Sequence, residues 1–435
     1  MEDKAKQILK LGYKLSEIGE IPNGWKVARL GEVLEFIRNG LTYRQTKDGN
    51  GYPLTRIETI SDGVIDKTRV GYSAELTERE IESYKLKLGD ILLSHINSVE
   101  HIGKTAIYEG DPPLLIHGMN LLLLRVSEEK ALAFFLIQYF KWNVTRNRLR
   151  LMAKKAVNQA SINQTELKSV LVPLPPLPEQ RKIAEILSTV DEAIQKTDEI
   201  IQKTEELKKG LMQQLLTKGI GHSKFKLTEI GEIPEGWEVV KLKEVISDIK
   251  TGFASGRRDE EGIVQLRMNN ISTEGKIVLN HLLKVPLHER ANDYLLRPGD
   301  ILFNNTNSVD LIGKTALFRG ELENCVYSNH FTRLRTIQEQ CTPEWLTAIF
   351  VQERRKGIFK AICHRHVHQA GINNDDILFL KVPLPPLPEQ RKIAEILSAI
   401  DEKIEVEWQR KEKLEELKRG LMQVLLTGKV RVKVA

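Results

Sequence analysis

Apolar residues recur at alternating steps of four and three in two stretches of the chain, which is the heptad spacing of a coiled coil. The first stretch consists of Ile183, Leu187, Val190, Ile194, Thr197, Ile201 and Thr204 and then, after a step of three, of Leu207, Leu211 and Leu215. The second consists of Ile393, Leu397, Ile400, Ile404, Glu407, Lys411, Leu414, Leu417, Leu421 and Leu425. Each stretch predicts a helix about 58 Å long at about 1.5 Å per residue. We expect the polar seam positions to select a pairing register, as polar core positions do in coiled coils.

A proline-rich segment precedes each predicted helix. In the first copy Pro173, Pro175 and Pro176 hold the chain extended, and Pro178 suits the first helical turn. Each helix could pack alone on its own domain, but two such helices in one chain favour pairing with each other. Because the second helix has to return along the first, we expect an antiparallel coiled coil.

The remainder of the chain mixes strand-like and helix-like patterns. Segments 90–94 and 121–126 are apolar runs of strand length. Segments 131–142 and 345–352 have the composition of buried helices. These parts of the chain are therefore predicted to be α+β domains.

Nearly every one of these patterns occurs twice, about 210 residues apart. The segment KLSEIGEIP at 14–22 returns as KLTEIGEIP at 226–234, and the run VPLPPLPEQRKIAEILS at 172–188 returns unchanged at 382–398. The short segments GDIL and IGKTA are also present in both halves. A tandem duplication of this length is far longer than a solenoid repeat and indicates two related domains.

The predicted fold class is α+β, with two globular domains joined by two long helices in an antiparallel coiled coil and an internal pseudo-two-fold repeat. The predicted boundaries are 1–174 for the first globular domain with an N-terminal segment 1–14, 175–219 for the central spacer helix, 220–384 for the second globular domain, and 385–435 for the distal spacer helix and basic tail.

Composition and charge bear on the partners and the compartment of the protein. The 435 residues carry a net charge of +6. Segments 179–218 and 389–420 are each net −1, so the surplus lies outside the two helices. The chain has three cysteines, an odd number that fits no disulfide framework, and a polar start without an apolar leader. With no apolar run long enough to span a membrane, the sequence predicts a cytoplasmic protein with no membrane partner.

At this point the chain resembles the specificity subunits of type I restriction–modification systems, over nearly its whole length. The resemblance rests on PLPPLPEQ followed by a long helix, present twice, after domains that each carry GDIL and IGKTA. It implies two target recognition domains, each reading one half of a split, asymmetric site in double-stranded DNA. It also implies spacer helices that dock two modification (methyltransferase) subunits, and two restriction (motor-nuclease) subunits. S-adenosylmethionine, ATP and Mg would then bind to those partners, leaving this chain without cofactor, metal or catalytic residue.

A duplicated DNA reader should keep its framework and vary its reading residues, and Arg, Lys, Asn and Gln are the residue types that read bases in duplex DNA. The predicted DNA-binding residues of the first half are Arg38, Thr42, Tyr43, Arg44, Arg56, Glu58, His95, Asn97, Lys104, Lys154 and Lys155. Those of the second half are Lys250, Ser255, Arg257, Arg258, Arg267, Asn269, Asn270, Asn304, Asn305, Asn307, Lys314, His364, Arg365 and His366. Any of these clusters could instead be a turn that satisfies its own backbone.

Two further motifs have competing interpretations. Gly103-Lys104-Thr105 imitates the end of a phosphate-binding loop, but Ser98 stands where that loop needs a glycine. Cys363, His364, His366 and His368 offer zinc-ligand types without the usual structural spacing. For both motifs the sequence favours DNA contact over nucleotide or metal binding.

Two other functional classes stay open on the sequence. One is a DNA methyltransferase or nuclease with its own catalytic centre, for which the chain has no room between its repeats. The other is a coiled-coil adaptor with no DNA role, which the basic loops oppose only mildly.

Overall fold

The structure is a computed structural model that describes residues 12–61, 63–156, 159–286, 291–365 and 369–433. Its contacts divide the chain into two compact units. The first contains the described residues up to Asp198 and those from Gln409 onwards, and the second is Glu199–Trp408. Each unit therefore contains one globular domain and a part of each long helix.

The strands of the first unit are β1 (Tyr13–Ser16), β2 (Gly19–Pro22), β3 (Lys26–Arg29), β4 (Leu34–Asn39), β5 (Tyr52–Leu54), β6 (Gly71–Ser73), β7 (Ile91–Ser94), β8 (Ile96–Asn97), β9 (Thr105–Ile107), β10 (Leu121–Val126), β11 (Lys154–Ala156), β12 (Gln159–Ser161) and β13 (Leu171–Leu174). Its helices are α1 (Leu30–Val33), α2 (Glu78–Tyr84), α3 (Ala133–Lys141), α4 (Asn143–Met152), α5 (Gln164–Lys168) and the start of α6 (Leu177–Lys218). Two 3-10 turns, Ile57–Ile60 and Lys67–Arg69, complete it.

The strands of the second unit are β14 (Phe225–Thr228), β15 (Gly231–Pro234), β16 (Glu238–Lys241), β17 (Ile246–Thr251), β18 (Ile263–Leu266), β19 (Leu283–Val285), β20 (Ile301–Asn304), β21 (Thr306–Asn307), β22 (Thr315–Leu317), β23 (Cys325–Tyr327), β24 (Phe331–Thr336), β25 (His364–Arg365), β26 (Ala370–Gly371) and β27 (Lys381–Leu384). Its helices are α7 (Leu242–Val245), α8 (Pro343–Arg355), α9 (Ile358–Ile362), α10 (Asn374–Leu378) and α11 (Leu387–Leu425), which continues into the first unit. Its 3-10 turns are Met268–Asn270 and Ala291–Tyr294.

A four-stranded antiparallel sheet in the order β4-β10-β7-β9 forms the centre of the first domain. The run of four leucines in β10 is completely buried. Leu122 and Leu124 belong to the main core, with helix α3, whereas Leu121 and Leu123 belong to a second core on the other face. Because side chains alternate along a strand, an unbroken apolar run indicates a sheet covered on both faces.

The second domain repeats this architecture, with a sheet in the order β17-β24-β20-β22. The three-stranded sheet β11-β12-β8 of the first domain has its counterpart in β21-β26-β25, and the pair β13-β3 has its counterpart in β16-β27. The copies differ beside the central sheet, where the second has β18 between β19 and the parallel strand β23. The predicted α+β class and internal repeat are confirmed.

The two long helices pair in antiparallel fashion within each unit. In the first unit the Lys418 ammonium lies 2.5 Å from Asp191, and that of Lys411 lies 2.6 Å from Asp198. Residue numbers rise along α6 as they fall along α11, which defines an antiparallel pair. In the second unit Lys208 pairs with Asp401 at 2.7 Å. The later residues Met212 and Leu215 of α6 share a core with the earlier residues Ile393 and Leu397 of α11, so the sense is again antiparallel. The alternative of two helices that each pack alone is therefore wrong.

Most predicted seam positions are buried, several of them in the cores that each long helix shares with its domain. The seven buried ones are Ile183, Leu187, Val190, Ile201, Ile393, Leu397 and Ile404, and the three half-buried ones are Ile194, Ile400 and Leu414. The polar positions Thr197 and Thr204 are buried as well, and each hydroxyl donates to the carbonyl four residues earlier at 2.8 and 2.7 Å.

The predicted three-residue break in the heptad is wrong. Leu207 and Leu417 are 56% and 51% exposed, so neither lies in the seam. Lys208 and Lys418 occupy the seam instead, and the alternation of four and three continues unbroken through them. A lysine can do this because its long apolar stem packs in the seam while its ammonium reaches a carboxylate.

The start of each long helix is fastened to its domain by a glutamate. Glu179 accepts from the Trp25 indole at 3.0 Å and from the Arg431 guanidinium at 2.6 and 2.7 Å. Glu389 accepts from the Trp237 indole at 2.9 Å and lies 2.8 Å from His222. These contacts fix the direction in which each helix leaves its domain.

Candidate nucleic-acid interface

The end of β4 and the segment that follows it contain the first group of predicted DNA-binding residues. Arg38 stacks over the Tyr84 ring at 4.2 Å and donates to the Ser83 carbonyl, and burial lowers the pKa of its guanidinium. The Tyr43 hydroxyl donates to Glu80 at 2.7 Å. Thr42 and Arg44 are exposed. Thr42 and Arg44 therefore present their side chains to solvent, whereas Arg38 and Tyr43 are held within the domain.

The equivalent segment of the second domain has a similar arrangement. Lys250 pairs with Asp293 at 3.3 Å and lies 4.5 Å from the centre of the Tyr294 ring. The Ser255 hydroxyl donates to the Arg257 carbonyl at 3.2 Å. The side chains of Arg257 and Arg258 are exposed, so this loop presents two adjacent cations.

The 3-10 turn Ile57–Ile60 displays the second group. The Thr59 hydroxyl accepts from the Arg56 amide at 2.9 Å, and the Arg56 guanidinium lies 3.4 Å from the carboxylate of Glu58, which is exposed. At the other end of the turn the Lys104 ammonium donates to the Ser61 carbonyl at 2.7 Å. Lys104 therefore points into the domain, against the turn.

The corresponding turn of the second domain, Met268–Asn270, has the same framework. Asn270 is 1% exposed; it accepts from the Arg267 amide at 3.0 Å and donates to two carbonyls further along the chain. The Lys314 ammonium is buried and donates to the carbonyls of Met268 and Ile271 at 2.5 and 2.6 Å. Asn269 remains exposed.

The segment in which β20 of the central sheet passes into β21 of the small sheet is mostly buried. Asn304, Asn305 and Asn307 are at most 7% exposed, and their amides bond to one another, to backbone carbonyls and to Thr332. Their first-domain counterparts are His95, which is 8% exposed, and Asn97, whose amide donates to Ser94 at 3.3 Å. Burial lowers the pKa of His95 to about 4.

A small sheet brings a further pair of basic residues beside this segment. Asn97 and Lys155 both register with Ala160, on opposite sides of β12. Lys154 and Lys155 are exposed, and Lys154 pairs with Glu166 at 3.2 Å. The second domain has His364, 2.8 Å from Asp376, and the exposed Arg365 at these places.

The metal interpretation involves residues that the structure describes only in part. His366 and His368 lie outside the described residues. Among the residues that are described, no group of three or more His, Cys, Asp and Glu is placed to hold a metal ion. In the same residues no helix is long and apolar enough to cross a membrane.

Sequence reasoning missed the arginine-rich helix α4. Its sequence NVTRNRLRLM leads directly into Lys154 and Lys155. Arg148 is exposed, whereas Arg150 donates to the Glu100 carbonyl at 2.7 Å and so fastens the loop after β8. Three arginines at alternate positions, followed within four residues by a lysine pair, were the available signal.

A buried histidine before β10, His117, and a half-buried one before β24, His330, were missed as well. His117 lies 3.0 Å from the Leu121 carbonyl, and burial lowers its pKa to about 3, helped by the charges of Arg38 and His95. Burial and the nearby charge of Arg267 lower the pKa of His330. Each loop therefore closes against the residues predicted to bind DNA in its own domain.

Comparison with known proteins identifies the family. The model of the type I restriction modification DNA specificity domain matches residues 22–206 and again 234–416. Two curated relatives come from Methanocaldococcus jannaschii. The MjaX type I restriction enzyme specificity subunit is 42% identical, and the match covers 97% of each chain. The MjaVIII type I restriction enzyme specificity subunit is 30% identical, and the match covers 95% of this chain and 94% of that subunit.

Solved structures agree on the fold. The S subunit of a type I restriction-modification system from M. genitalium has a TM-score of 0.58 at 15% identity and covers 95% of this chain and 97% of its own. A chain from a study of type I system assembly has a TM-score of 0.54 at 19% identity, covering 94% and 99%. The chain therefore belongs to the type I restriction–modification specificity subunits, the non-catalytic DNA-recognition subunits of those systems.

Proposed function

We propose that each globular domain reads one half of a bipartite, asymmetric site in double-stranded DNA. One observation carries the proposal. At the 3-10 turns both domains keep the same internal bonds, from Arg56 to Thr59 and from Arg267 to Asn270, while the exposed residue between them changes from Glu58 to Asn269. A constant frame with a variable exposed side chain is what two readers of different half-sites require.

Burial and contacts together divide the candidates into two groups. The exposed candidates and the three half-buried cations Arg56, Lys250 and Arg267 are proposed to contact DNA, and the exposed ones are Thr42, Arg44, Glu58, Lys154, Lys155, Arg257, Arg258, Asn269, His364 and Arg365. The other described candidates are buried, or are half-buried with a side-chain hydrogen bond that holds them in the domain, and they are proposed to shape the surface instead. They are Arg38, Tyr43, His95, Asn97, Lys104, Ser255, Asn270, Asn304, Asn305, Asn307 and Lys314.

The helices are proposed to set the gap between half-sites and to dock the partner subunits. We retain the boundaries 1–174, 175–219, 220–384 and 385–435 as functional divisions, with the two spacers at 175–219 and 385–435. The partners proposed are two modification subunits, which bind S-adenosylmethionine, and two restriction subunits, which use ATP and Mg. The three cysteines have free thiols, which supports a place for the complex in the cytoplasm.

The test is the methylation pattern of the complex. The full chain is reconstituted with its modification subunits, supplied with S-adenosylmethionine and genomic DNA, and the methylated positions are sequenced. We expect a bipartite site with two different halves. Asn269→Ala should relax one half-site and Glu58→Ala the other, so that each variant is the matched control for the other. A complex that methylates without sequence selection would contradict the proposal and favour an adaptor.

A further inference from the structure

The lysine of the repeated IGKTA segment has an unusual position for a cation in a DNA-binding protein. Lys314 is 7% exposed, and its ammonium donates to the carbonyls of Met268 and Ile271, at 2.5 and 2.6 Å. Lys104 makes the equivalent contact with the Ser61 carbonyl at 2.7 Å. In both domains the lysine therefore ends on the 3-10 turn that carries an exposed variable residue.

The ammonium group stabilises the turn from the inner side of the domain. A charged donor makes hydrogen bonds roughly twice as strong as those of a neutral one, and carbonyls at the end of a short helical turn lack partners within the turn. Burial lowers the pKa of the Lys314 ammonium, which is the mark of a cation withdrawn from solvent. With Asn270 fastening the start of the same turn, its two ends are both fixed.

We propose that Lys104 and Lys314 are positioning residues for sequence recognition, each holding the reading turn of its own domain in the geometry that its half-site requires. The inference rests on the proposed function, since it assumes that Glu58 and Asn269 face DNA. The lysines themselves do not contact bases. A base contact depends on donor and acceptor positions within a few tenths of an ångström, so a turn released from its lysine loses selectivity before it loses structure.

The rival role is a phosphate contact. A lysine that neutralises a phosphate weakens binding to all sequences alike, and its removal reduces the slope of log affinity against log salt by about 1. A positioning lysine changes base preference at one half-site and leaves the salt slope unchanged. The two roles therefore differ in both measurements.

The experiment uses the complete chain with its modification subunits and a library of duplex DNA randomised at both half-sites. Lys314→Met keeps the apolar stem and removes the ammonium. We expect discrimination at one to two base pairs of one half-site to fall by about 5- to 150-fold, the range of one base contact. The other half-site should be selected as before, which shows that the complex has assembled. Lys104→Met should reduce discrimination at the other half-site instead.

Lys226→Met is the matched control. Lys226 also donates to a carbonyl, that of Glu235 at 2.9 Å, but within a hairpin rather than at a 3-10 turn.

The outcomes separate this inference from the proposed function. If the unaltered complex selects no bipartite site, the proposed function fails first. If it does, and both half-sites are unchanged in Lys314→Met and in Lys104→Met, the positioning role is wrong. Equal weakening at both half-sites with a reduced salt slope would instead identify phosphate contacts. A failure of both variants to assemble would also overturn the inference, by showing that the lysines support the fold itself.

Discussion

Lys208 and Asp401 form an ion pair that has an equivalent in the other copy of the repeat. The Lys208 ammonium lies 2.7 Å from both carboxylate oxygens of Asp401. The residues 210 positions away, Lys418 and Asp191, form the same pair at 2.5 Å. Each copy of the repeat thus supplies one lysine and one aspartate, and each bonds to the opposite copy. This is the self-complementary pattern of a two-fold interface.

The first prediction concerns the energy of this pair. Lys208 and Asp401 are 13% and 34% exposed at the side chain, so the pair is only partly withdrawn from water. A double-mutant cycle with Lys208→Ala and Asp401→Ala should give a coupling energy of about 1 kcal/mol by urea unfolding. The largely exposed pair Lys392–Glu395 of α11, 3.2 Å apart, is the control and should give near zero. Equal couplings would mean that the seam pair does not contribute to pairing.

The second prediction is a loss of stability in mild acid. Folding lowers the pKa of His95 to about 4 and that of His117 to about 3, because both rings are buried, from about 6.5 in an unfolded chain. The unfolded state therefore binds more protons, and this stability is complete above about pH 7. It falls as the pH drops from about 6.5 towards 4 for His95 and towards 3 for His117. We expect a loss on the order of 1 kcal/mol per histidine between pH 7.5 and 5.

The variant His95→Asn tests this directly, because the second domain has Asn305 at the same place. Urea midpoints at pH 7.5 and 5 should differ less in His95→Asn than in the unaltered chain. An identical pH dependence would show that His95 does not titrate between the folded and unfolded states.

The third prediction concerns the half chain 1–220. It contains both Asp191 and Lys208, so two copies can form both crossed pairs. The half chain lacks Met422 and Leu425, which belong to the core of the first domain. Met212 and Leu215, 210 positions earlier in the repeat, could take their places from a second copy of the half chain. The half chain should therefore be a dimer by light scattering, and its complex should methylate a palindromic site. A monomer, or an asymmetric site, would show that the two halves are not interchangeable.

The sequence predicted the repeat, the α+β class and the paired helices because these depend on regular patterns of apolar residues. It misplaced the seam after Thr204, since a rule that counts leucine as apolar and lysine as polar selects Leu207 over Lys208. Only the facing Asp401, far away in sequence, makes the lysine the better seam residue.

The candidate DNA-binding residues show a different limit of sequence reasoning. Asparagine is a residue type that reads adenine, yet Asn304 and Asn305 are buried and bond to the His330 carbonyl and to Thr332, on another strand or loop. Residue type alone does not reveal such partners. The exposed Asn269 and the buried Asn270 are neighbours in sequence, and only the fold separates their roles.

If the two long helices set the gap between the half-sites, lengthening both helices should widen that gap. One heptad inserted after Ile194 and one after Ile404 keep the seam in phase and add about 10.5 Å at about 1.5 Å per residue. At about 3.4 Å per base pair, the gap between half-sites should grow by about three base pairs, with both half-sites unchanged. Affinity should fall by a few kcal/mol, on the order of the cost of twisting and bending the intervening DNA. The measurement is sequencing of the methylated sites. A gap that stays the same, or half-sites that change while the gap does not, would contradict the account.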